Sequence, residues 1–389
     1  MIQALPPRPN LGWLRKTAKQ KLGELKAKLP ESRLADAQLA LARDYGFPSW
    51  RALKTHVDGL RGELEARFDE TAVAALLRAV GNGETAVVKA ALTATPGIVN
   101  AVGPNPFWGG RLQMLHLAIE SNRQDMFDLA MEHGADCDGD NRHYSNWSPL
   151  MLAACKQRPV MQRVLVEFGA TIGLYEALLL GDDARTEALL RPGARAIPQD
   201  RAGMESLLNL ARTPWAIDRL LELGEQRDSR DYWNETPVGA IAKLGGAQAG
   251  ALVSHLRKRG FEISAEEYAR LGDLAALEAL YAEEPASVRR DEVLMSTQEP
   301  AVVSWLLERG ANPNARTSFG SQCMALHGAA WSGNLTVAKL LVAAGADVGG
   351  LDVEHRNTPS GYARVSRRMT NNPACDAVAE YLESLERSG

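Results

Sequence analysis

Residues 324–347 read MALHGAAWSGNLTVAKLLVAAGAD. In the second half, Leu335, Ala338, Leu341 and Val342 recur at helical spacing, and the run stops at Gly345, a residue that can end a helix in a left-handed conformation. A shorter apolar run, 324–331, lies ahead of it. The stretch therefore predicts two consecutive helices, the second with a built-in stop.

Moving outward, the trailing half recurs as LAMEHGAD (129–136), LVEFGAT (165–171), LLRPGA (189–194) and LLERGANPNA (306–315), with weaker copies ending at Gly224 and Gly260. The leading half recurs as MLHLAIES (114–121), SPLMLAACK (148–156), TPVGAIAK (236–243) and TPSGYARV (358–365). Thr236 and Thr358 stand directly before proline. A hydroxyl there can cap free amides, and proline tolerates the first helical turn.

These residues resemble the ankyrin repeat, whose pattern runs D-x-x-G-x-T-P-L-H-x-A-A-x-x-G-x-x-x-x-V-x-x-L-L-x-x-G-A-D. The resemblance covers about residues 67–386 and is closest over 324–347. It implies an all-α fold, a solenoid of stacked helix pairs with irregular fingers and a small helical segment before it. Residues 1–61 would be a basic helical prefix or N-terminal cap, and 62–389 an array of about nine or ten degenerate repeats. His116 and His327 match the family's structural histidine, which hydrogen-bonds near the start of the leading helix. One scaffold hosts many partners, so the resemblance fixes the fold more firmly than the function.

The spacing departs from the family. From Gly134 to Gly169 is 35 residues, then 24 to Gly193, 31 to Gly224 and 36 to Gly260, against about 33 in a regular array. Fingers, the hairpins that project between repeats, should be stunted around residues 172–176, 262–267 and 288–293. Elsewhere they are enlarged: GPNPFWGGRLQ (103–113), DNRHYSNW (140–147), SRDYWNET (229–236), NARTSFGSQ (314–322) and DVEHRNT (352–358).

Aromatic residues are only 6% of the chain, yet Phe107, Trp108, Tyr144, Trp147, Tyr232, Trp233 and Phe319 fall in these fingers. Arg111, Arg142, His143, His355 and Arg356 add polar groups. The resemblance puts fingers and leading helices on the concave face, so these side chains should converge on one partner- or ligand-binding surface. Aromatic rings bring large rigid area with a polar tip, which suits recognition. The competing expectation is that Trp147 and Trp233 pack between successive fingers.

The prefix ESRLADAQLALARDYGFPSWRALKTHV (31–57) predicts a helix over 33–45, a stop at Gly46 and a helix opening at Ser49. Leu34, Ala37, Leu41 and Ala42 should close against Trp50, Leu53 and Val57. The stretch is similar to segments that precede ankyrin arrays in bacterial proteins, which implies a bacterial origin. A basic helix over 10–29 comes before it and suits a cap on the first repeat better than a nucleic-acid or membrane contact.

Residues 1–61 carry twelve Lys or Arg against five Asp or Glu, a net of +7 within an overall −4, so the remaining residues carry −11. Such a body disfavours nucleic acid. Four dispersed cysteines without a C-x-x-C pair suggest reduced thiols in a cytoplasmic protein. No stretch reaches about 18 apolar residues, so a transmembrane segment is not expected.

No phosphate loop, G-x-S-x-G elbow or H-E-x-x-H is present. No cofactor or metal is expected, and Asp182 and Asp183 read as helix-start caps. A protein-binding scaffold is the leading expectation. A small-molecule pocket is the alternative, and if it were catalytic His143 or His355 with Asp140 or Asp231 would be its acid–base groups.

Overall fold

Ser148, Thr236 and Thr358 each precede a proline, and each hydroxyl accepts the amide hydrogen three residues on, at 3.0, 2.9 and 3.2 Å. The leading helices Pro149–Cys155, Pro237–Ala242 and Pro359–Thr370 start there. The trailing helices end on glycines with positive φ, among them Gly134 (78°), Gly169 (90°), Gly310 (85°) and Gly345 (90°). Only glycine takes that conformation cheaply. Gly193 lies outside the described residues.

The structure is a computed structural model that describes residues 5, 11–29, 32–54, 56–57, 68–107, 109–139, 147–190, 206–231, 235–317 and 321–387. The chain divides into two compact units, Met1–Glu176 and Ala177–Gly389. Among the described residues, ten helix pairs follow one another from Glu70 to Glu386.

In the first unit, the prefix helices Leu11–Lys28 and Leu34–Asp44 and a third helical run, 50–54 with 56–57, share a small core. Leu14, Ala18, Leu41, Ala42, Leu53 and Val57 are buried there. The expected closure of two stripes holds, with Trp50 packed at its edge. Leu34, expected inside, stays 39% exposed because it occupies the first helical position. The first prefix helix adds Leu14 and Ala18 to this core and pairs Lys21 with Asp44.

The pairs Glu70–Asn82/Thr85–Ala94, Met114–Glu120/Gln124–Glu132 and Pro149–Cys155/Pro159–Glu167 follow. They bury residues such as Leu77, Leu117, Phe127 and Leu165. The finger between the first two pairs is a short antiparallel hairpin, Gly103–Pro104 against Arg111–Leu112.

In the second unit the leading helices Leu207–Leu210, Pro237–Ala242, Ala265–Leu271, Asp291–Met295, Ala325–Ser332 and Pro359–Thr370 each precede a trailing helix. From Ala265 onward one core cluster runs through Leu277, Leu294, Leu326, Leu341 and Leu382.

The third position of the leading helix links neighbouring repeats. Nε2 of His116 donates to the carbonyl of Trp147 (3.1 Å), directly before cap Ser148. Nε2 of His327 donates to the carbonyl of Asn357 (3.2 Å), directly before cap Thr358, while its Nδ1 accepts the amide of Met324. Asn209 Nδ2 makes the same forward donation to the carbonyl of Glu235, directly before cap Thr236 (3.2 Å).

Fingers are missing where the spacing predicted them stunted. Only residues 170–173 separate Gly169 from the helix Leu174–Leu180, only 261–264 separate Gly260 from Ala265–Leu271, and only 289–290 separate Pro285–Val288 from Asp291–Met295. At the first two of these, the third-position residue is a buried glutamate that faces backward. Ser148 donates its hydroxyl to Glu176 Oε1 (2.6 Å), and Thr236 donates to Glu267 Oε1 (2.5 Å). The other carboxylate oxygens accept the amides of Gly173 and Ser264, so each glutamate also caps its own helix.

Replacing His327 with leucine should remove the inter-repeat bond and leave the Asn357 carbonyl unpaired, lowering unfolding free energy in urea by about 1–3 kcal/mol. Burial holds the His327 imidazole below its ordinary value of 6.5. The unfolded chain therefore binds more protons, so the His327 contribution is full above about pH 6.5 and is lost as pH falls. A His327→Gln variant should show a flatter loss of stability between pH 7 and pH 5 than the parent, in parallel denaturation curves.

Candidate binding site

Of the finger residues singled out from sequence, Trp108, Asp140, Arg142, His143, Tyr144, Tyr232, Trp233 and Phe319 lie outside the described residues. The others divide into internal braces and exposed groups.

Phe107 is half-buried, and a Cβ built on Gly81 would come within 2.7 Å of its ring. The ring therefore packs down on the leading helix Glu70–Asn82. Arg111 braces the hairpin at its base, with one guanidinium nitrogen on Glu70 Oε1 (2.5 Å) and another on the Val102 carbonyl (3.0 Å). Trp147 is half-buried and offers its carbonyl to His116. Asp231 accepts the Glu235 amide (2.8 Å) and Asn209 Nδ2 (3.2 Å), closing its own finger.

The last finger is the exposed case. Asp352 is 1% exposed and accepts the amides of His355 and Asn357, both at 2.7 Å. Burial alone would push its carboxyl up, but these amides outweigh burial and hold it below the usual carboxylate range. The amide of Val353 donates across to the Ser321 carbonyl (2.9 Å). On this fixed backbone Leu351 is 36% and Val353 57% exposed, and the His355 side chain is 58% exposed. Arg356 stands beside them at φ 49°, also exposed.

A second feature was not foreseen. Beside the finger that ends at Thr236, the fingerless connection 261–264 leaves a cleft of about 770 Å³ in the second unit. Its walls are charged but largely paired internally. Glu235 takes Arg270 at 2.8 Å and also Lys243, and Arg290 reaches Glu266 at 2.8 Å. Burial would raise the Glu235 carboxyl, yet the two cations hold it below its ordinary value. Val238, Phe261 and Ile263 supply the apolar part of the lining. The missing finger falls where the sequence predicts a stunted one, around residues 262–267. The lining residues carried no periodic signal, since they come from loops and helix starts of several repeats.

Cys323, Tyr362 and His327 sit together without forming a reactive set. Cys323 Sγ lies 3.2 Å from Tyr362 Oη and 3.0 Å from Ser321 Oγ, and the Tyr362 ring stands edge-on to His327. Both nitrogens of His327 are committed to backbone partners, so the imidazole cannot take a proton from the thiol. Burial first, then Cys323, raises the Tyr362 phenol far above its ordinary value. No cluster of three His, Cys, Asp or Glu side chains placed to hold a metal occurs among the described residues.

Comparison with known proteins now joins this geometry. Residues 294–342 match a family profile described as ankyrin repeats (many copies). Among solved structures, the ankyrin repeat domain of Bcl-3, described as a unique member of the IkappaB protein family, is similar at 23% identity. That match covers 67% of this chain and 96% of that chain, with a TM-score of 0.22. The human ASB11 ankyrin repeat domain is similar at 17% identity over 76% of this chain and 95% of that chain, with a TM-score of 0.23. No curated protein matches. The matched segment and the recurring helix pairs among the described residues support an ankyrin-repeat reading of the chain. Ankyrin repeats are generally protein–protein interaction modules. No helix among the described residues is long and apolar enough to cross a membrane.

Changing Thr236 to valine should uncap the helix Pro237–Ala242 and strip a donor from Glu267 at the edge of the cleft. The expected cost is about 1–2 kcal/mol of stability. Glu267→Gln keeps a carbonyl oxygen for one of its two donors and should cost less, a ranking that thermal unfolding of the two variants checks.

Proposed function

We propose that this chain is a protein-binding scaffold whose fingers and leading helices, the concave face in its family, hold a segment of a partner protein. The observation that carries the reading is the last finger. Apolar Val353 and Leu351 and polar His355 and Arg356 stand exposed on a backbone fixed by buried Asp352. A rigid presenting loop loses little freedom on binding, and exposed apolar groups rimmed by polar ones suit a protein partner. Trp108, Arg142, His143, Tyr144, Trp147, Tyr232, Trp233 and Phe319, which lie in the other fingers by sequence, are further candidate contacts, as are Phe107 and Arg111.

The cleft beside Glu235 favours a second reading, a small-molecule site, because its volume falls in the usual range for ligand pockets. Its predominantly charged, internally paired lining suits a polypeptide or strongly polar occupant better than an apolar ligand.

The test is recovery of tagged full-length protein and of a Val353→Asp/Arg356→Asp variant from the native host, with co-purifying proteins and small molecules identified by mass spectrometry. A protein retained by the parent and reduced roughly tenfold or more in the still-folded variant is the expected outcome. Equal recovery by both would remove the last finger from the interface. A small molecule lost in the protein's place would move the function to the pocket reading.

A further inference from the structure

Away from the fingers, two arginines of the second unit are posed on aromatic rings. Arg289 donates to Tyr281 Oη (2.7 Å), with its guanidinium carbon 5.5 Å from the centre of the same ring. The Arg309 guanidinium lies 4.1 Å from the ring centre of Trp305 and 5.6 Å from that of Tyr281. The two rings meet edge-to-face at 5.6 Å, and Trp305 is only 6% exposed. Tyr281 lies on the trailing helix Leu274–Glu283, and Trp305 on the next trailing helix, Pro300–Glu308.

These two arginines differ from their neighbours in what opposes their charge. Arg219, Arg259, Arg270, Arg290 and Arg364 each reach a carboxylate between 2.5 and 2.9 Å. Among the described residues the one carboxylate paired with Arg309 is Glu308, at 4.0 Å, while an Arg309 nitrogen also donates to the Trp305 carbonyl (3.2 Å); Arg289 is held by a phenol and a ring face. An aromatic face orients a guanidinium and sheds part of its water without neutralising it. The result is two pre-positioned cations around one tyrosine, in a body whose residues 62–389 carry a net charge of −11. A guanidinium fork matches a carboxylate, and one fixed in advance loses little rotamer freedom when it binds.

We propose that Arg289 and Arg309, seated on Tyr281 and Trp305, are a docking point for an acidic segment of a protein partner, on the trailing-helix side of the array. The surface is separate from the finger residues, so it holds or fails independently of them.

The experiment measures fluorescence anisotropy of a labelled oligo-glutamate peptide with full-length protein at low salt. It uses the parent, Arg289→Gln, Arg289→Gln/Arg309→Gln and the Val353→Asp/Arg356→Asp variant. The basic prefix also attracts such a peptide, so the readout is the difference between proteins. Affinity should fall roughly threefold or more in Arg289→Gln and tenfold or more in the double variant, and added salt should shrink the gap. The finger variant should lose far less than the double arginine variant. Among the described residues the exposed Arg289 side chain bonds to Tyr281 alone, so its variant carries the test even where Arg309→Gln lowers the melting temperature. Equal binding by the parent and the arginine variants overturns the proposal, as does a parent that does not bind. Arginine-dependent binding to phosphatidylserine vesicles without peptide binding also overturns it, assigning the pair to a lipid surface.

Discussion

Several junctions between consecutive repeats depend on what one polar side chain, at the third position of a leading helix, can reach. An imidazole can accept its own helix's cap amide at Nδ1 and donate from Nε2 into the next finger, as His327 does. The carbonyl it reaches always stands immediately before the next cap, at Trp147, Glu235 or Asn357. Each such bond therefore fixes both the base of a finger and the start of the following helix. Asn209 shows the limit of substitution: its amide makes the forward donation, but Oδ1 is buried with no partner among the described residues. A buried acceptor left open costs free energy, which fits the short helix of four residues at that repeat.

A fingerless repeat presents the opposite problem, because the cap hydroxyl before it needs an acceptor and its own helix needs a cap. Glu176 and Glu267 meet both needs by turning backward. An imidazole with Nδ1 given to the amide could offer Nε2 only as a donor. The change from histidine to glutamate thus follows from the loss of the finger. Where two fingerless connections succeed one another, at 261–264 and 289–290, no hairpin fills the space above the leading helices, and the cleft beside Glu235 opens. An irregularity of chain length has become a feature of surface shape.

Periodicity and terminal glycines made the helix pairs legible, because a left-handed stop and a 3.6-residue apolar spacing are local properties. Uneven glycine spacing likewise located the missing fingers. The duties of individual finger residues were less legible. Phe107 and Trp147 stand out by composition as recognition candidates; in the structure the Phe107 ring packs on the helix below, and the Trp147 main chain supplies a carbonyl to His116. Arg111 reaches Glu70 on the leading helix and the Val102 carbonyl, and Asp231 accepts the Glu235 amide. A short polar side chain in a tight loop meets its own backbone first, a tendency that composition does not reveal. The Arg289 platform was invisible for a different reason: its members come from three separate segments and match no motif.

Several buried titratable groups among the described residues are likewise committed to structural partners. A general base needs a lone pair free to take a proton from substrate. His327 has none, Glu267 is held by a hydroxyl and an amide, and Glu235 is clamped by two cations. Exposed capacity collects instead where backbone or aromatic rings hold a side chain outward, at Val353, His355 and Arg356 and at Arg289 and Arg309. Apolar tips and oriented guanidiniums gain free energy by burial and by meeting carboxylates, and neither event changes a covalent bond. Among the described residues, His327, Glu267 and Glu235 thus help to join repeats, while these exposed groups stand on rigid supports.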